Sequence, residues 1–527
     1  MRLSAYRIIL ACLLLFLIAG LFFTQVICGR RYYELSLRNS VRLIPQESYR
    51  GRIFDTHGLL LVDNAMSFDA VVVPQDMKQE QEVFRGLADI LGMARQDVVR
   101  RYKRGYVNPF TPVVIMAGIT KEAAIALEER AFDWQGVGVV INARRYYPHG
   151  ATAAHALGYM GEIDKSRITR LKEYGYDLRD KVGYSGLEEE LDLFLRGEKG
   201  GEQIEVDSRG RQVRVLGYKP PTIGRDVQVT LDLAWQQTAD QLMQGRRGAV
   251  VVMDVTSGAV LAMASAPGFD PNVFIDRKDK KALNHYLGSN DAPLFNRATC
   301  GQFPPGSVFK VVTASAALTN KKFKTSMTFV CPGYLHVGNR PFKCWAEHGP
   351  QDFFQAMGHS CDVYFYHLGF WAGSDQMTAM AKEFGLGSLT GIDQPQERAG
   401  FIPSRLWKRL TKFEPWYDGD TANFSIGQGF VLVTPLQLAR MMAAVANGGV
   451  LVEPHLTKAI GGKFVDVKPG RKIRISSEDL AMVRQSLRYP VALETGTAHT
   501  LDIPGLEMCA KTGTAQVTGK LAHGWVA

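Results

Sequence analysis

The stretch IILACLLLFLIAGLFFTQVICG, from Ile8 to Gly29, carries no charge from end to end. As a helix rising about 1.5 Å per residue, it is long enough to cross the roughly 30 Å apolar core of a bilayer. It therefore constrains the topology of everything that follows. Arg2, Arg7 and the free amine precede it, and Arg30 and Arg31 follow it, so basic charge orients it only weakly. A cleaved signal peptide is the alternative. That reading wants a shorter apolar run and a small-residue cleavage site, and Cys28 lacks the preceding small residue of a lipoprotein site. No second apolar span follows. The expectation is one uncleaved anchor, N-terminus inside, with the rest of the chain outside.

The remainder is globular in composition: 527 residues, 46% hydrophobic and 22% charged, which excludes wholesale disorder. A net charge of +10 suits an acidic polymer or an anionic membrane surface. Nucleic acid is disfavoured, because no basic stripe interleaved with aromatics is present. Residues 30–225 are charged and turn-rich. RGRIFDTHGLLLVDN (50–64) reads as strand, turn, strand. The run 77–105 has helical periodicity, and 183–203 reads as a helix ended by a Gly-rich turn. Nothing there has catalytic spacing, so a spacer or docking module is expected. KPPTIGRD (219–226) marks a boundary. After it, GAVVVMDVTSGAVLAMAS (248–265) is a hairpin signal: two apolar runs around Thr-Ser-Gly.

Three short patterns carry chemistry. In FPPGSVFKVVTASAAL (303–318), Ser307 opens an apolar helix where unpaired N–H groups favour a developing anion, and Lys310 shares its face. A buried lysine can lose its proton and act as a base beside a hydroxyl. The bland alternative is a capping serine and a snorkelling lysine. In KTGTAQV (511–517), a strand presents Lys511, Thr512 and Thr514, a cation and two hydroxyls suited to a carboxylate, while Gly513 admits a close backbone approach. In Ser360-Cys361-Asp362, an extended backbone puts Ser360 and Asp362 on one side and Cys361 on the other. Each pattern is weak alone. Their order in one exported chain is specific.

The set S-x-x-K, S-x-D, K-T-G resembles the penicillin-binding proteins and serine β-lactamases. GAVVVMDVTSGAVLAMASAPGFDPN, NRATCGQFPPGSVFK and SIGQGFVLVTPLQLA are similar to the transpeptidase domain of the class B penicillin-binding proteins. RGRIFD, RRYYPHGATAAHALGYMGEI and GLEEELDLFLRG are similar to that class's membrane-proximal pedestal. Asp362 stands where Asn is usual, a variant associated with the elongation-type members, the penicillin-binding protein 2 type.

The resemblance implies an α+β architecture. Residues 1–29 are the cytoplasmic tip and anchor, 30–225 an elongated α/β dimerisation or docking pedestal, and 226–527 a transpeptidase domain with an antiparallel sheet flanked by helices. HGWVA ends early in what should be another core strand, so the domain is expected to lack its closing strand and helix.

It further implies a serine-type D-Ala-D-Ala transpeptidase in the inner membrane, its catalytic domain periplasmic, inhibited by β-lactams. Ser307 would attack the stem peptide, Lys310 take its proton, Ser360 relay a proton to the leaving amine, and Asp362 orient Lys310 or bind the stem. Lys511, Thr512, Gly513 and Thr514 would hold the terminal carboxylate. The N–H groups of Ser307 and Thr514 would form the oxyanion hole. A RodA-type glycosyltransferase and an MreC-type scaffold are the partners implied. A β-lactamase, a β-lactam sensor and an idle scaffold are the rival classes, with a division-type transpeptidase the rival within the family. Depletion giving round cells rather than filaments would mark elongation.

Two further groups invite a metal. His149 and His155 have no further ligand nearby in sequence, so ordinary packing histidines are expected. Cys331, Cys344, His348 and Cys361 all lie between Ser307 and Asp362. Three thiols and an imidazole suit a closed tetrahedral Zn2+ site, and the resemblance to elongation-type enzymes supports it. A disulfide or free thiols are the alternatives; three cysteines leave one over from any pair.

Overall fold

The computed structural model describes residues 2–30, 32, 41–107, 109, 111–176, 180–206, 212–276, 279–516, 519 and 521–527. It divides into two compact units: residues 1–51, 64–145 and 196–225, and residues 52–63, 146–195 and 226–527.

The first unit begins with the helix Arg2–Phe22, continued to Ile27. Apart from Arg7, the span from Tyr6 to Ile27 is uncharged and strongly apolar, and its side chains bury against nothing, which fits a candidate membrane anchor. The 77–105 run is two helices rather than one, Glu80–Leu91 and Arg95–Gly105. Gly92 breaks it, adopting φ 60° at the end of the first helix. Val83, Phe84, Leu87 and Val98 pack with Leu127 of the helix Lys121–Ala131 against Val113 and Ile115 of the strand Val113–Ile119. Strands Val41–Gln46, Gly200–Val206 and Gln212–Lys219 form an antiparallel sheet in that order.

The second unit draws in two stretches that the sequence placed in the pedestal. Ile53–Phe54 pairs in parallel with Val227–Gln228, and Val227–Val229 pairs on its other edge with Thr457–Ile460. Leu157, Leu187 and Leu195 are buried with Val227, Val229 and Leu436. Sequence texture hides this, because polar and charged residues around 52–63 and 146–195 mask a few fully buried side chains. The stretch 183–203 is likewise not one helix: Gly186–Glu190 and Asp192–Leu195 are short turns of helix before the strand. The Asp-Thr-His-Gly turn forms as expected, with Asp55 Oδ1 accepting the N–H groups of His57 and Leu59 at 2.8 Å each.

The hairpin Gly248–Met253 and Val260–Ala266 also forms. Asp254 takes the hydroxyls and N–H groups of Thr256 and Ser257 in its turn, which hold its carboxyl down to about 2. Beyond it lies the largest core. The helix Lys310–Leu318 is buried from Lys310 to Ala317 and packs with the helix Asp362–Ala372 and with Phe424 and Met441. Each of its valines contributes about 1.5–3 kcal/mol by leaving water. Lys408 is buried in the helix Arg405–Lys412, its Nζ donating to Asp420 Oδ2 at 2.5 Å with Glu414 at 3.5 Å.

His149 and His155 do not converge on a common point. His149 Nε2 meets Leu60 O at 3.1 Å. His155 is buried edge-on to Phe269, with Nε2 at 2.7 Å from Pro293 O, and burial holds its pKa down to about 4. Neutral, it donates from Nε2.

Candidate active site

Ser307 sits in a short 3-10 turn, Gly306–Phe309, that leads directly into the helix begun by Lys310. Gly306 has φ 55°, and a Cβ there would lie 2.9 Å from Thr514 O. From the other side, a Cβ on Gly513 would lie 3.1 Å from Pro305 O and Val308 N and 3.2 Å from Ser307 N. The strand Thr512–Ala515 therefore lies backbone against backbone on the serine turn, an approach only glycine permits. The hairpin with His523–Val526 is tied down by Trp525 Nε1, which donates to Pro304 O at 2.9 Å. Thr512 is half-buried and Thr514 exposed, on the same side of that strand.

Lys310 is fully buried. Its Nζ donates to Ser360 O at 2.7 Å, Ser360 Oγ at 3.1 Å and Asp362 Oδ1 at 2.7 Å, three acceptors for the three protons of an ammonium. Lys511 is also fully buried and donates to Ser360 Oγ at 2.8 Å and Thr512 O at 3.0 Å. Burial, and then the charge of Lys310, push its pKa well below the ordinary value, with Asp362 opposing. Ser360 Oγ thus receives an N–H from each lysine, which fills both its lone pairs and leaves its own proton to point elsewhere. All three sequence patterns meet at this one oxygen.

The Ser360-Cys361-Asp362 stretch divides as expected, two side chains toward Lys310 and Cys361 away, but not by strand alternation. Ser360 is left-handed, φ 52°. Cys361 caps the helix that starts at Asp362, its Sγ accepting the Tyr364 N–H at 3.4 Å. A non-glycine residue in the left-handed region costs on the order of 1–3 kcal/mol and persists only where its surroundings over-determine it. Here they do: Ser360 O is held by Lys310, and the Cys361 N–H bonds Ala356 O at 2.9 Å.

Cys361 points to Cys331, Cys344 and His348, and one ligand atom from each of the four lies within 4.8 Å of all the others. His348 Nδ1 is 3.6 Å from Cys331 Sγ and 3.5 Å from Cys344 Sγ. All seven cysteines are free thiols, so no disulfide competes for these sulfurs. Cys344 Sγ accepts the Asp362 N–H at 3.2 Å. A hydrogen bond from the Cys361 thiol, with backbone N–H groups adding, lowers the Cys344 pKa to about 4, while the same bond and burial raise that of Cys361. A thiolate, neighbouring thiols and a facing ring nitrogen at these separations fit a tetrahedral metal.

The sequence patterns missed Thr497. Its Oγ1 accepts from Thr512 Oγ1 at 2.8 Å, and its N–H donates to Gly358 O at 3.2 Å. A Thr-Gly-Thr between two turns carries no signal by itself; only its contact with the K-T-G strand marks it.

Residues 248–527 match the family model of the penicillin binding protein transpeptidase domain, and residues 45–229 match that of the penicillin-binding protein dimerisation domain. The peptidoglycan D,D-transpeptidase MrdA of Acinetobacter baumannii is 34% identical over 521 residues, covering 97% of this chain and 77% of that protein. A solved complex between the penicillin-binding protein PBP2 and MreC from Helicobacter pylori is similar with a TM-score of 0.82, at 27% identity and 92% coverage of both chains. A structure described as the structural coordination of polymerization and crosslinking by a peptidoglycan synthase complex is similar with a TM-score of 0.71, at 31% identity, covering 98% of this chain and 89% of that one.

Proposed function

The chain belongs to the class B penicillin-binding proteins and is a peptidoglycan D,D-transpeptidase of the elongation type, and from that premise we propose that Ser307 is the nucleophile it acylates. The observation that carries the assignment is the Ser360 hydroxyl shared by Lys310 and Lys511, beside a serine turn held against the Lys511 strand.

The reaction follows from that arrangement. The terminal carboxylate of a stem peptide lands on Lys511, Thr512 and Thr514, and its charge raises the proton affinity of Lys511. The Ser360 O–H then swings to the lone pair of Lys511; Ser360 gives Lys511 its proton and takes one from Lys310, which leaves Lys310 an amine held in place by Asp362. Ser307 Oγ attacks the carbonyl between the two terminal D-alanines and gives its proton to Lys310. The N–H groups of Ser307 and Thr514 stabilise the oxyanion, each worth about 3–4 kcal/mol by the measure of other acyl-transfer enzymes. The C–N bond breaks, Ser360 protonates the departing D-alanine amine, and Lys310 restores the proton of Ser360. An amine from a second stem resolves the ester, forms the cross-link and returns the hydrogen to Ser307. A β-lactam follows the same path to the ester and stays, because its leaving group remains tethered. Thr497 backs Thr512 and holds its hydroxyl hydrogen at rest; that O–H turns from Thr497 Oγ1 to the carboxylate when the stem peptide binds.

Cys331, Cys344, His348 and Cys361 are assigned to a structural Zn2+. When bound, the ion supplies coordination alone, bracing the loop on which Ser360 and Asp362 stand on either side of Cys361. Residues 30–225 serve as the docking module for an MreC-type scaffold, and the anchor segment pairs with a RodA-type glycosyltransferase. The similarity to the two complexes supports both. The N-terminus lies in the cytoplasm and the transpeptidase domain in the periplasm.

Intact-mass measurement after penicillin treatment tests the assignment. The wild-type chain gains one adduct and Ser307→Ala gains none; an adduct that survives Ser307→Ala overturns it.

A further inference from the structure

The left-handed turn at Ser360 is gripped from its outer side by a residue that the three sequence patterns do not contain. The His359 ring lies between two partners, Nδ1 at 2.7 Å from Gln351 Oε1 and Nε2 at 2.8 Å from Thr495 Oγ1. The buried Gln351 amide settles the tautomer. Its Nε2 already donates to His348 O at 3.0 Å and Pro350 O at 2.9 Å, so its oxygen is the atom that faces His359. Nδ1 therefore carries the hydrogen, and Nε2 accepts the Thr495 hydroxyl. The ring is stacked on His348, with centroids 5.7 Å apart and planes 12° apart. The His359 carbonyl is held separately by the Trp345 indole N–H at 3.0 Å.

Thr495 stands two residues before Thr497, in the segment that touches both halves of the site. The Thr497 N–H bonds Gly358 O, and the Thr512 hydroxyl bonds Thr497 Oγ1. The Ser360 turn and the Lys511 strand are thus joined twice. The inner joint is Lys511 Nζ to Ser360 Oγ, and the outer one runs His359, Thr495, Thr497, Thr512.

We propose that His359 is a positioning residue: through Thr495 it locks the outer joint and so sets where Ser360 Oγ sits between Lys310 and Lys511. It touches no reacting atom. The step that depends on it is proton delivery through Ser360, so this inference rests on the acyl-transfer reading above. Substrate binding at Lys511 and Thr512 does not need the lock; the chemical step does.

The two ring nitrogens can be tested separately on the full chain in detergent, using stopped-flow acylation by a fluorescent penicillin. This measures the non-covalent dissociation constant and the acylation rate constant apart. His359→Ala and Thr495→Val are each expected to slow acylation about tenfold with the dissociation constant unchanged. His359→Asn, which keeps the Gln351 bond and loses the Thr495 bond, behaves like His359→Ala. His359→Gln, which reaches Thr495, recovers most of the rate, and so does Thr495→Ser. The His359→Ala/Thr495→Val double variant is no slower than either single one, because both cut the same bond. Wild-type rates in Thr495→Val, multiplicative losses in the double variant, or rescue by Asn rather than Gln overturn the proposal. Wild-type protein that forms no Ser307 adduct would defeat the acyl-transfer reading instead, so the two failures are distinguishable.

Discussion

Adding one methyl group at Gly513 should slow acylation without dismantling the fold. The new Cβ would sit 3.1 Å from Pro305 O and Val308 N and 3.2 Å from Ser307 N, where ordinary contact begins at 3.4 Å. All three neighbours are backbone, so no side chain can swing away. The strand must retreat from the serine turn by about 0.3 Å, a gap set by the steep wall of the van der Waals contact. The Thr514 N–H moves with the strand and the Ser307 N–H stays with the turn, so the two N–H groups proposed as oxyanion donors separate. Losing one donor outright is worth about 3–4 kcal/mol. A partial displacement of both should cost about 1–2 kcal/mol, or about five- to thirtyfold in acylation rate. Stopped-flow acylation by a fluorescent penicillin measures this, with thermal unfolding of the same Gly513→Ala sample as control. A folded variant that acylates at the wild-type rate refutes the reasoning. So does a rate loss that merely tracks the unfolded fraction.

Three other expectations follow from residues further out. His155 is held at about 4 against an ordinary 6.5, so the unfolded chain takes up that proton first as pH falls; the stability present above about 6.5 is lost progressively toward pH 4, by about 3 kcal/mol in full. Urea unfolding at pH 7 and 4.5 should show a smaller loss for His155→Gln than for wild type, and equal losses would remove His155 from the account. Lys408→Ala leaves the Asp420 carboxylate with the Tyr417 N–H but no cation, and should lower stability by about 2–3 kcal/mol, seen as a Tm several degrees lower; an unchanged Tm would mean the pair contributes nothing net. Cys361→Ser should reduce the zinc content of purified protein measured by elemental mass spectrometry and slow acylation with Ser307 intact, whereas wild-type protein isolated without zinc under metal-replete conditions would end the zinc assignment.

What could be read from the sequence was local or countable. Ser307 and Lys310 are three residues apart on one turn, and Lys511 to Thr514 are contiguous, so their chemistry needs no knowledge of the fold. The cysteine cluster was legible because three thiols and a histidine fall within one loop region. The facing of Ser360 and Asp362 was anticipated for the wrong reason, since a left-handed residue followed by a helix start imitates strand alternation. Thr495, Thr497 and His359 were invisible because their meaning lies in an approach between segments 136 residues apart. The membership of 52–63 and 146–195 in the second unit was hidden likewise: a two-residue strand and scattered leucines leave no periodic trace.

The hydroxyl shared by two lysines makes the donor's carboxylate a trigger as well as a handle. Lys310 and Lys511 are both sealed from water, so on the proposed mechanism the proton that Lys310 gives up stays inside the site and goes no further than Lys511. Binding a carboxylate ligand should therefore exchange no proton with the solution, and its calorimetric heat should be the same in buffers of different ionisation enthalpy. A donor peptide amidated at its C-terminus can still fill the cleft, but it leaves the proton on Lys310, and the enzyme holds it without reacting.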